Sequence, residues 1–256
     1  MKSIPLRKPP LQEQYNYDFS SIYNETNDKP DKRYSTLPTL VKELSPAGLT
    51  VLDLGCGSGF YSHAYACAKA SKVIGIDNSA AQIELANKLN KISTPVFMNL
   101  SFQLADIFSF QFPNCDRISA PYIFNYAESV KQLESLFKEL RKSLSPNGKI
   151  VFTLETVGQN GMAGNGRWGV VKQVKGPLRD QCEVEVKLYS KDKYLCTVIN
   201  RYWSPETIQR LLVEANFKSI TRVRPIISGE GLQVFPKEFW QGYFENCGLI
   251  YFQAMV

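Results

Sequence analysis

Short apolar runs alternate with helix-like patterns along most of the chain after residue 49. Five runs have the length and composition of strands, and they lie at Thr50–Leu54, Lys72–Ile76, Ser101–Ala105, Asp116–Ala120 and Lys149–Leu154. Strands that alternate with helices are typical of an α/β protein with a mostly parallel sheet. No repeat of fixed period and no low-complexity block divides the chain, so we predict a single domain over residues 1–256.

Three of the intervening helices begin at serine residues that can cap them. The segments "SAAQ" at 79–82 and "SVKQ" at 129–132 have the serine-to-glutamine spacing of a capping box. Ser204 precedes Pro205, and proline is favoured at the first position of a helix. The segment "SPNG" at 145–148 is predicted to end the second of these helices, just before a strand.

Two regions depart from this alternation. Residues 1–45 are polar and aromatic with little strand pattern, and they predict an N-terminal cap. Residues 156–176 contain six glycines and predict a mobile loop. Two alternating runs, "CEVEVKLY" and "YLCTVINRYW", then flank "SKDK" and predict an antiparallel β-hairpin. We expect this insertion, residues 157–203, to form a lid over a substrate.

Composition places the chain among ordinary folded proteins, because 44% of its residues are hydrophobic and 21% are charged. The longest apolar stretch, "GLIYFQAMV", is far shorter than the roughly 20 residues of a membrane helix. The first residues carry charge and proline where a signal peptide needs an apolar segment. We therefore expect a cytoplasmic protein without membrane contact.

The net charge of +6 permits an acidic partner, but the basic residues are spread along the chain. The only tight cluster is "KPDKR" at Lys29–Arg33, so a solvated basic surface is favoured over a nucleic-acid footprint. The six cysteines form no C-x-x-C pair and have no neighbouring histidine. They predict reduced thiols, and we expect no metal site.

A glycine-rich loop carries the strongest chemical signal. In "TVLDLGCGSGFYS", residues 50–62, three glycines follow a predicted strand, where they allow a sharp turn and close approach of a ligand to the backbone. The G-x-G-x-G spacing differs from the G-x-G-x-x-G of dinucleotide-binding loops, and the G-K-[ST] ending of a phosphate-binding P-loop is missing. A phosphate ligand is therefore disfavoured.

The segment "VLDLGCGSGFYS" resembles the first motif of class I S-adenosylmethionine-dependent methyltransferases. The resemblance implies that the loop lies under the methionine part of S-adenosylmethionine, that Asp77 at the end of "KVIGID" accepts the ribose hydroxyls, and that Asp106 in "QLADIF" accepts the adenine amino group. The cofactor-binding residues so implied are Tyr17, Tyr23, Asp53, Gly55, Cys56, Gly57, Gly59, Tyr61, Asp77, Asn78, Asp106, Ile107, Phe108 and Ala120. The fold implied is a Rossmann-like α/β sandwich with a mostly parallel seven-stranded sheet and helices on both faces.

Other segments narrow the resemblance to small-molecule methyltransferases of natural-product biosynthesis, of the toxoflavin methyltransferase type. They are "RISAPYIFNYAES" after the fourth strand, "FW" at 239–240 and the final "GLIYFQA". "SAPY" at Ser119–Tyr122 replaces the N-P-P-Y or D-P-P-Y tetrad of enzymes that methylate DNA bases and protein amides. This difference makes a nucleic-acid substrate less favoured.

Methyl transfer from a sulfonium is an in-line displacement that depends mainly on orientation of the nucleophile, and a hydroxyl nucleophile gains from a general base. Catalytic candidates are Tyr122, Tyr126 and Glu155, which follow predicted strands. The substrate-binding candidates are the aromatic residues Trp168, Tyr202 and Trp240 of the lid and C-terminal regions. The only histidine, His63, is predicted to have a structural role.

The leading hypothesis is a monomeric or homodimeric methyltransferase that transfers a methyl group to a nitrogen, oxygen or carbon of a small aromatic or heterocyclic metabolite. A methyltransferase acting on RNA or protein is the first alternative, favoured by the charge. The second is a protein that binds S-adenosylmethionine but catalyses a reaction other than methylation. A nicotinamide-dependent oxidoreductase is disfavoured by the glycine spacing.

Overall fold

The computed structural model describes the backbone of residues 17–256 and the side chains of Ser20 and residues 22–256. The predicted contact of the Tyr17 side chain with a cofactor lies outside the described residues. Within residues 17–256, no helix combines the length and the apolar character needed to cross a bilayer.

The strands of the described part are β1 (Thr50–Leu54), β2 (Lys72–Asp77), β3 (Leu100–Leu104), β4 (Cys115–Ala120), β5 (Leu144–Glu155), β6 (Met162–Asn165), β7 (Val170–Val174), β8 (Glu183–Ser190), β9 (Lys193–Arg201), β10 (Lys218–Val223) and β11 (Leu249–Met255). The helices are α1 (Tyr17–Asn24), α2 (Leu37–Leu44), α3 (Phe60–Cys67), α4 (Ala80–Ile92), α5 (Val130–Ser143), α6 (Pro205–Glu214), α7 (Gly229–Val234) and α8 (Lys237–Asn246). Short turns of 3-10 or π helix, at Glu25–Asp28 and Lys32–Thr36, join α1 to α2.

Seven strands form one sheet in the order β10-β11-β5-β4-β1-β2-β3. The pairs from β3 to β5 are parallel, whereas β11 runs antiparallel to both β5 and β10. This arrangement confirms the predicted Rossmann-like α/β fold with a mostly parallel seven-stranded sheet. It also places the C-terminal ends of β1, β2, β3 and β4 at one edge, where open α/β sheets bind ligands.

Apolar residues on both faces of the sheet hold this edge in place. One face packs against α5 and α6 through Leu133, Phe137 and Leu211, all fully buried, and the other packs against α2 and α3 through Leu40 and Tyr65. The central parallel strands are buried on both sides, which explains why they read as continuous apolar runs.

The five predicted strands are present with small differences at their ends. The largest difference is at β5, which begins at Leu144, so "SPNG" lies within the strand and α5 already ends at Ser143. Leu144 pairs with Cys115 of β4, and the Ser145 hydroxyl donates to Asp116 Oδ1 at 2.9 Å. These contacts with the neighbouring strand favour the extended conformation over a turn.

The insertion forms a second, antiparallel sheet in the order β6-β7-β8-β9. We call it the lid sheet after the role predicted for it, which stays a prediction. The pairing of β8 with β9 confirms the predicted hairpin. The prediction of a loop was wrong for residues 162–174, because they contain the two paired strands β6 and β7. Val170 and Val174 of β7 pack against valines of β8 and β9 in a small core that the glycine pattern concealed.

A buried ion pair joins the lid sheet to the large sheet. Lys172 of β7 is 2% exposed, and its Nζ lies 3.2 Å from Glu155 Oε1 at the end of β5. Lys172 also donates to the carbonyl oxygens of Cys247 and Gly248, just before β11, and Asn200 of β9 donates to the other oxygen of Glu155. Glu155, a predicted catalytic candidate, therefore lies in a structural ion pair that fixes the position of the lid sheet.

We expect Lys172→Met to lower the free energy of unfolding by about 3–5 kcal/mol, because the substitution leaves the Glu155 carboxylate buried without its cation. Urea-induced unfolding measures the change. The control is Lys175→Met, just beyond β7, where an exposed lysine lies 3.1 Å from Glu185 Oε1. Exposed pairs contribute about 1 kcal/mol or less, so equal losses in the two variants would contradict this role.

Candidate active site

A cleft opens at the C-terminal ends of the parallel strands, between the glycine-rich loop and the N-terminal helices. It holds roughly 930 Å³ of space including its open mouth, a volume in the range of small-molecule sites. Most of the predicted cofactor-binding residues line it, namely Tyr23, Gly55, Cys56, Gly57, Tyr61, Asp77, Asn78, Asp106, Ile107 and Phe108. The predicted catalytic candidates Tyr122 and Tyr126 line it as well.

Three predicted cofactor-binding residues do not reach the cleft. Asp53 and Ala120 are fully buried in β1 and β4 and do not line the cleft. Gly59 precedes α3 with φ of 86°, and a Cβ there would lie 2.6 Å from the Phe102 ring. His63 lies nearby on α3, with Nδ1 2.8 Å from the Gly59 carbonyl, and it does not line the cleft either.

The three aromatic substrate-binding candidates also lie away from the cleft. Trp240 is 3% exposed, packs against Phe239 in α8 and donates from Nε1 to the Gly231 carbonyl at 3.0 Å. Trp168 packs edge to face on Tyr243 of the same cluster, and Tyr202 packs on the core of the lid sheet. Their packing role explains their aromatic character without a ligand.

The glycine-rich loop forms the floor of the cleft with bare backbone. Gly55 and Gly57 have φ of 64° and 54°, a region that glycine adopts without strain. A Cβ at Gly55 would lie 2.5 Å from Cδ1 of Ile123, which lines the cleft from the segment after β4. A side chain at position 55 would therefore push the Ile123 side chain out of its place in the cleft wall.

Asp77 connects this loop to the end of β2. Its Oδ2 accepts from the Gly57 N–H at 2.8 Å, and its Oδ1 accepts from the Ser79 N–H at 2.9 Å. Burial raises the pKa of Asp77, and the backbone hydrogen bonds oppose that shift. Each carboxylate oxygen can accept more than one hydrogen bond, so Asp77 keeps acceptor capacity for a ligand in the cleft.

Asp106 marks the next strand end. It follows β3, and its Oδ1 accepts from the Phe108 N–H at 3.0 Å, which closes a short turn. The turn places Ile107 and Phe108 on the wall of the cleft beside Ala105. An acidic residue and two apolar residues thus lie together, as the resemblance implied.

Gln82 contributes an amide that sequence reasoning assigned only to a helix cap. Its backbone N–H donates to Ser79 Oγ at 3.3 Å, which confirms Ser79 as the N-cap of α4. The reciprocal bond of a capping box is not made, because the Ser79 N–H donates to Asp77. The Gln82 side chain is 2% exposed and lines the cleft, and neither Oε1 nor Nε2 has a hydrogen-bond partner among the described residues. A polar group of a ligand fits there.

Lys32 is the second residue that sequence reasoning missed. The "KPDKR" cluster was predicted to be solvated, yet Lys29, Asp31 and Lys32 are buried in the turn between α1 and α2. Lys32 lines the cleft, donates to Asn27 Oδ1 at 2.8 Å and lies 5.2 Å from the ring centre of Tyr23. Burial, followed by the charge of Lys29, lowers the pKa of Lys32 to about 7. An anionic group of a ligand would restore its charge.

Tyr122 adopts a backbone conformation that is rare for a bulky residue, with φ of 61°. Its N–H donates to Thr153 Oγ1 at 2.8 Å, and its hydroxyl lies 2.8 Å from Thr36 Oγ1. Strain of this kind persists only where surrounding contacts impose it. These contacts hold the phenol ring of Tyr122 on the wall of the cleft.

Comparison with known proteins gives the family. Residues 45–216, more than half of the chain, match the methyltransferase domain family, and the chain belongs to that family. An uncharacterized protein of Haemophilus influenzae is 31% identical over 135 residues, which are 52% of this chain and 49% of that protein. A tRNA U34 carboxymethyltransferase of Marinobacter nauticus is 38% identical over 74 residues, which are 29% of this chain and 20% of that protein. The chain thus spans about half or less of the length of these relatives.

Solved structures share the fold at low sequence identity. An S-adenosylmethionine dependent methyltransferase from Mesorhizobium loti has a TM-score of 0.60 and 16% identity, and covers 90% of this chain and 100% of its own. The glycopeptide N-methyltransferase MtfA, solved with (S)-adenosyl-L-homocysteine, has a TM-score of 0.60 and 15% identity, and covers 86% of this chain and 88% of its own. These likenesses establish the Rossmann-like α/β fold.

Asp53 generates a prediction about pH. The Ser62 hydroxyl donates to its Oδ2 at 2.6 Å, but burial raises its pKa from 3.8 to about 7. The folded protein therefore binds more protons than the unfolded chain between these values, and the contribution of Asp53 to stability falls as pH rises through them.

We expect the free energy of unfolding of Asp53→Asn, relative to that of the wild type, to rise between pH 4 and pH 8. The rise should reach about 4 kcal/mol. Denaturant unfolding at a series of pH values measures the difference. Asp192→Asn, in the exposed turn between β8 and β9, controls for the loss of one carboxylate. A similar trend in the control would contradict the assignment to Asp53.

Proposed function

We propose that this chain is an S-adenosylmethionine-dependent methyltransferase that acts on a small molecule. The observation that carries the proposal is the meeting of the Gly55–Gly57 loop, Asp77 and Asp106 around one cleft, at the ends of three neighbouring strands. Membership of the methyltransferase domain family supports it. The Gln82 amide, which has no hydrogen-bond partner among the described residues, and the buried Lys32 are polar groups that such a ligand would satisfy.

The residues present fit the two ends of S-adenosylmethionine. Asp77 would accept hydrogen bonds from the ribose hydroxyls, and Asp106 would accept one from the adenine amino group, with Ile107 and Phe108 against the ring. The bare backbone of the glycine-rich loop would lie under the amino-acid end. Lys32 would form an ion pair with its carboxylate, in the aromatic surroundings of Tyr23.

When bound, S-adenosylmethionine supplies a methyl group that is already activated by its attachment to a positively charged sulfur. The chain's residues then need to orient the nucleophile and exclude water. Orientation alone can lower the activation barrier by about 7–11 kcal/mol. Tyr122, held in place by Thr36 and Thr153, and Tyr126 remain the candidates for contact with the acceptor.

Burial of the "KPDKR" cluster favours a small acceptor over a polymer. Lys29 and Lys32 face the interior, so the only tight basic cluster is not a surface that could attract phosphates. MtfA, a structural neighbour, is named as a glycopeptide N-methyltransferase. The similarity to a tRNA carboxymethyltransferase favours two alternatives, an RNA substrate and a reaction other than methylation. The first test below distinguishes them from the proposal.

The first test is transfer of a labelled methyl group from S-adenosylmethionine into a soluble cell extract that is then separated into small-molecule, RNA and protein fractions. We expect label in the small-molecule fraction. Asp77→Asn is the matched variant, because it removes the charge and keeps the shape of the side chain. Weaker hydrogen bonds should lower the affinity for the cofactor by about tenfold or more. Label in RNA or protein, or none despite measured cofactor binding, would contradict the proposal.

The lowered pKa of Lys32 predicts that the protein takes up a proton when the carboxylate of the cofactor binds. At pH 8 a lysine with a pKa of about 7 is mostly neutral, and a nearby anion favours its charged form. We expect calorimetric titration with S-adenosylhomocysteine, in buffers of different ionisation enthalpy, to show net proton uptake. Methylthioadenosine, which lacks the amino-acid end, should show none.

Lys32→Met should abolish this proton uptake. It should also lower the affinity for S-adenosylhomocysteine by about tenfold or more, and the affinity for methylthioadenosine by less. Lys88→Met, an exposed substitution on α4, is the control. Equal weakening of both ligands by Lys32→Met would indicate a packing role for Lys32 instead of a contact with the carboxylate.

A further inference from the structure

The side chain of Gln82 is buried on the wall of the cleft and keeps its hydrogen-bonding capacity. It is 2% exposed, and neither Oε1 nor Nε2 has a partner among the described residues. Asn24 and Tyr61, on the same wall, each have one buried polar atom without a partner within residues 22–256. In this part of the chain, only Gln82 leaves both ends of a polar group unpaired.

A buried amide of this kind is costly to the fold, because water satisfies both of its ends in the unfolded chain. An apolar side chain of similar size would avoid the cost at the same position. The other buried residues of α4, Ala81 and Ala86, are apolar, so the helix face itself does not need a polar group. The Gln82 amide therefore indicates a polar occupant of the cleft beside it.

Hydrogen bonds place the Gln82 amide near the Asp77 carboxylate. Asp77 Oδ1 accepts from the Ser79 N–H at 2.9 Å, and Ser79 Oγ accepts from the Gln82 N–H at 3.3 Å. Asp77 Oδ2 accepts from the Gly57 N–H at 2.8 Å, and Gln82 Oε1 lies 3.7 Å from the position that a Cβ of Gly57 would take. Both polar groups are therefore neighbours of Gly57, and a ligand group over this glycine can meet both.

The two groups have complementary roles in hydrogen bonding. A carboxylate only accepts, whereas an amide donates two N–H bonds and also accepts at its oxygen. A hydroxyl group needs both kinds of partner, because it donates one hydrogen bond and accepts others at its lone pairs. A hydroxyl that donates to Asp77 can therefore accept from Nε2 of Gln82. Together, the two side chains are suited to a ligand that carries hydroxyl groups.

We infer that Gln82 determines specificity for the ribose of the cofactor, by donating a hydrogen bond to a hydroxyl group that donates to Asp77. The inference rests on the proposed function, in which Asp77 accepts the ribose hydroxyls. It makes the cleft selective for a ribonucleoside over a deoxyribonucleoside. A deoxy ligand still excludes water from the cleft, but it leaves the buried amide without a partner, and this lowers its affinity.

Calorimetric titration with S-adenosylhomocysteine and with its 2′-deoxy and 3′-deoxy analogues tests the assignment. Gln82→Met removes the amide and nearly keeps the size of the side chain, and it should lower the affinity for the parent ligand by about tenfold. For one of the two hydroxyls, the loss of affinity on its removal should be about fivefold or more smaller in Gln82→Met than in the wild type. Equal losses in the two proteins for both hydroxyls would overturn the inference.

The same titrations separate this inference from the proposed function. Binding of S-adenosylhomocysteine with equal losses for the deoxy analogues in both proteins would exclude the role of Gln82 and leave the proposed function intact. Failure of the wild type to bind S-adenosylhomocysteine would count against the proposed function and, with it, against the inference.

A control variant and the melting temperature separate binding from folding. Gln103→Met replaces an exposed glutamine on β3 and should leave the dissociation constants of all three ligands within about twofold of the wild type. Gln82→Met should have the same melting temperature as the wild type or a higher one, because the amide it removes has no partner in the described part of the chain. A lower melting temperature together with equal losses for the deoxy analogues would assign the amide to the fold.

The NMR signals of the side-chain amide give a readout that does not depend on activity or affinity. In protein labelled with nitrogen-15, the Gln82 Nε2 signal is the side-chain amide signal that is lost in Gln82→Met. We expect saturating S-adenosylhomocysteine to shift this signal, and the analogue without the contacted hydroxyl to shift it less. Equal shifts with all three ligands would overturn the inference.

Discussion

The hydrogen bond from the Gly57 N–H to the Asp77 carboxylate is the contact on which the cleft depends. It ties the loop after β1 to the end of β2, and the second oxygen of Asp77 holds the first residue of the turn into α4. Because Asp77 meets the N–H of Ser79, the Gln82 side chain is not used in the cap and lies in the cleft. The Asp77 carboxylate thus fixes the floor of the cleft and leaves the Gln82 side chain available on its wall.

A second constraint comes from the lid sheet. The buried pair of Lys172 and Glu155 joins the lid sheet to β5, and the lid sheet in turn supports the side chain of Lys29. The turn between α1 and α2 is therefore held between two sheets. This explains how a segment rich in charged residues stays buried, since each charge has a partner or an aromatic surface nearby.

Two neighbouring charged residues of this turn have different surroundings. Lys32 faces the glycine-rich loop with lowered pKa, which suits an anionic group. Asp31, its neighbour in sequence, is buried with its Oδ1 3.6 Å from Lys29 Nζ, so its charge has a partner within the turn. Trp168 and Trp240, from which an aromatic pocket was predicted, do not line the cleft, because their rings pack around α8.

Local patterns in the sequence predicted β1 to β5, the β8–β9 hairpin, the serine caps of α4, α5 and α6, and the strand ends that line the cleft. These features depend on periodicity and backbone preference, which act over a few residues. The tertiary structure alone decided the partners of charged side chains, since Glu155 meets Lys172 and Thr36 meets Tyr251 across 215 residues of sequence. Burial and pairing of such groups depend on which distant segments pack together, and no local pattern encodes that choice. For this reason the glycine-rich loop was predictable, and the burial of Lys32 and Asp31 was not.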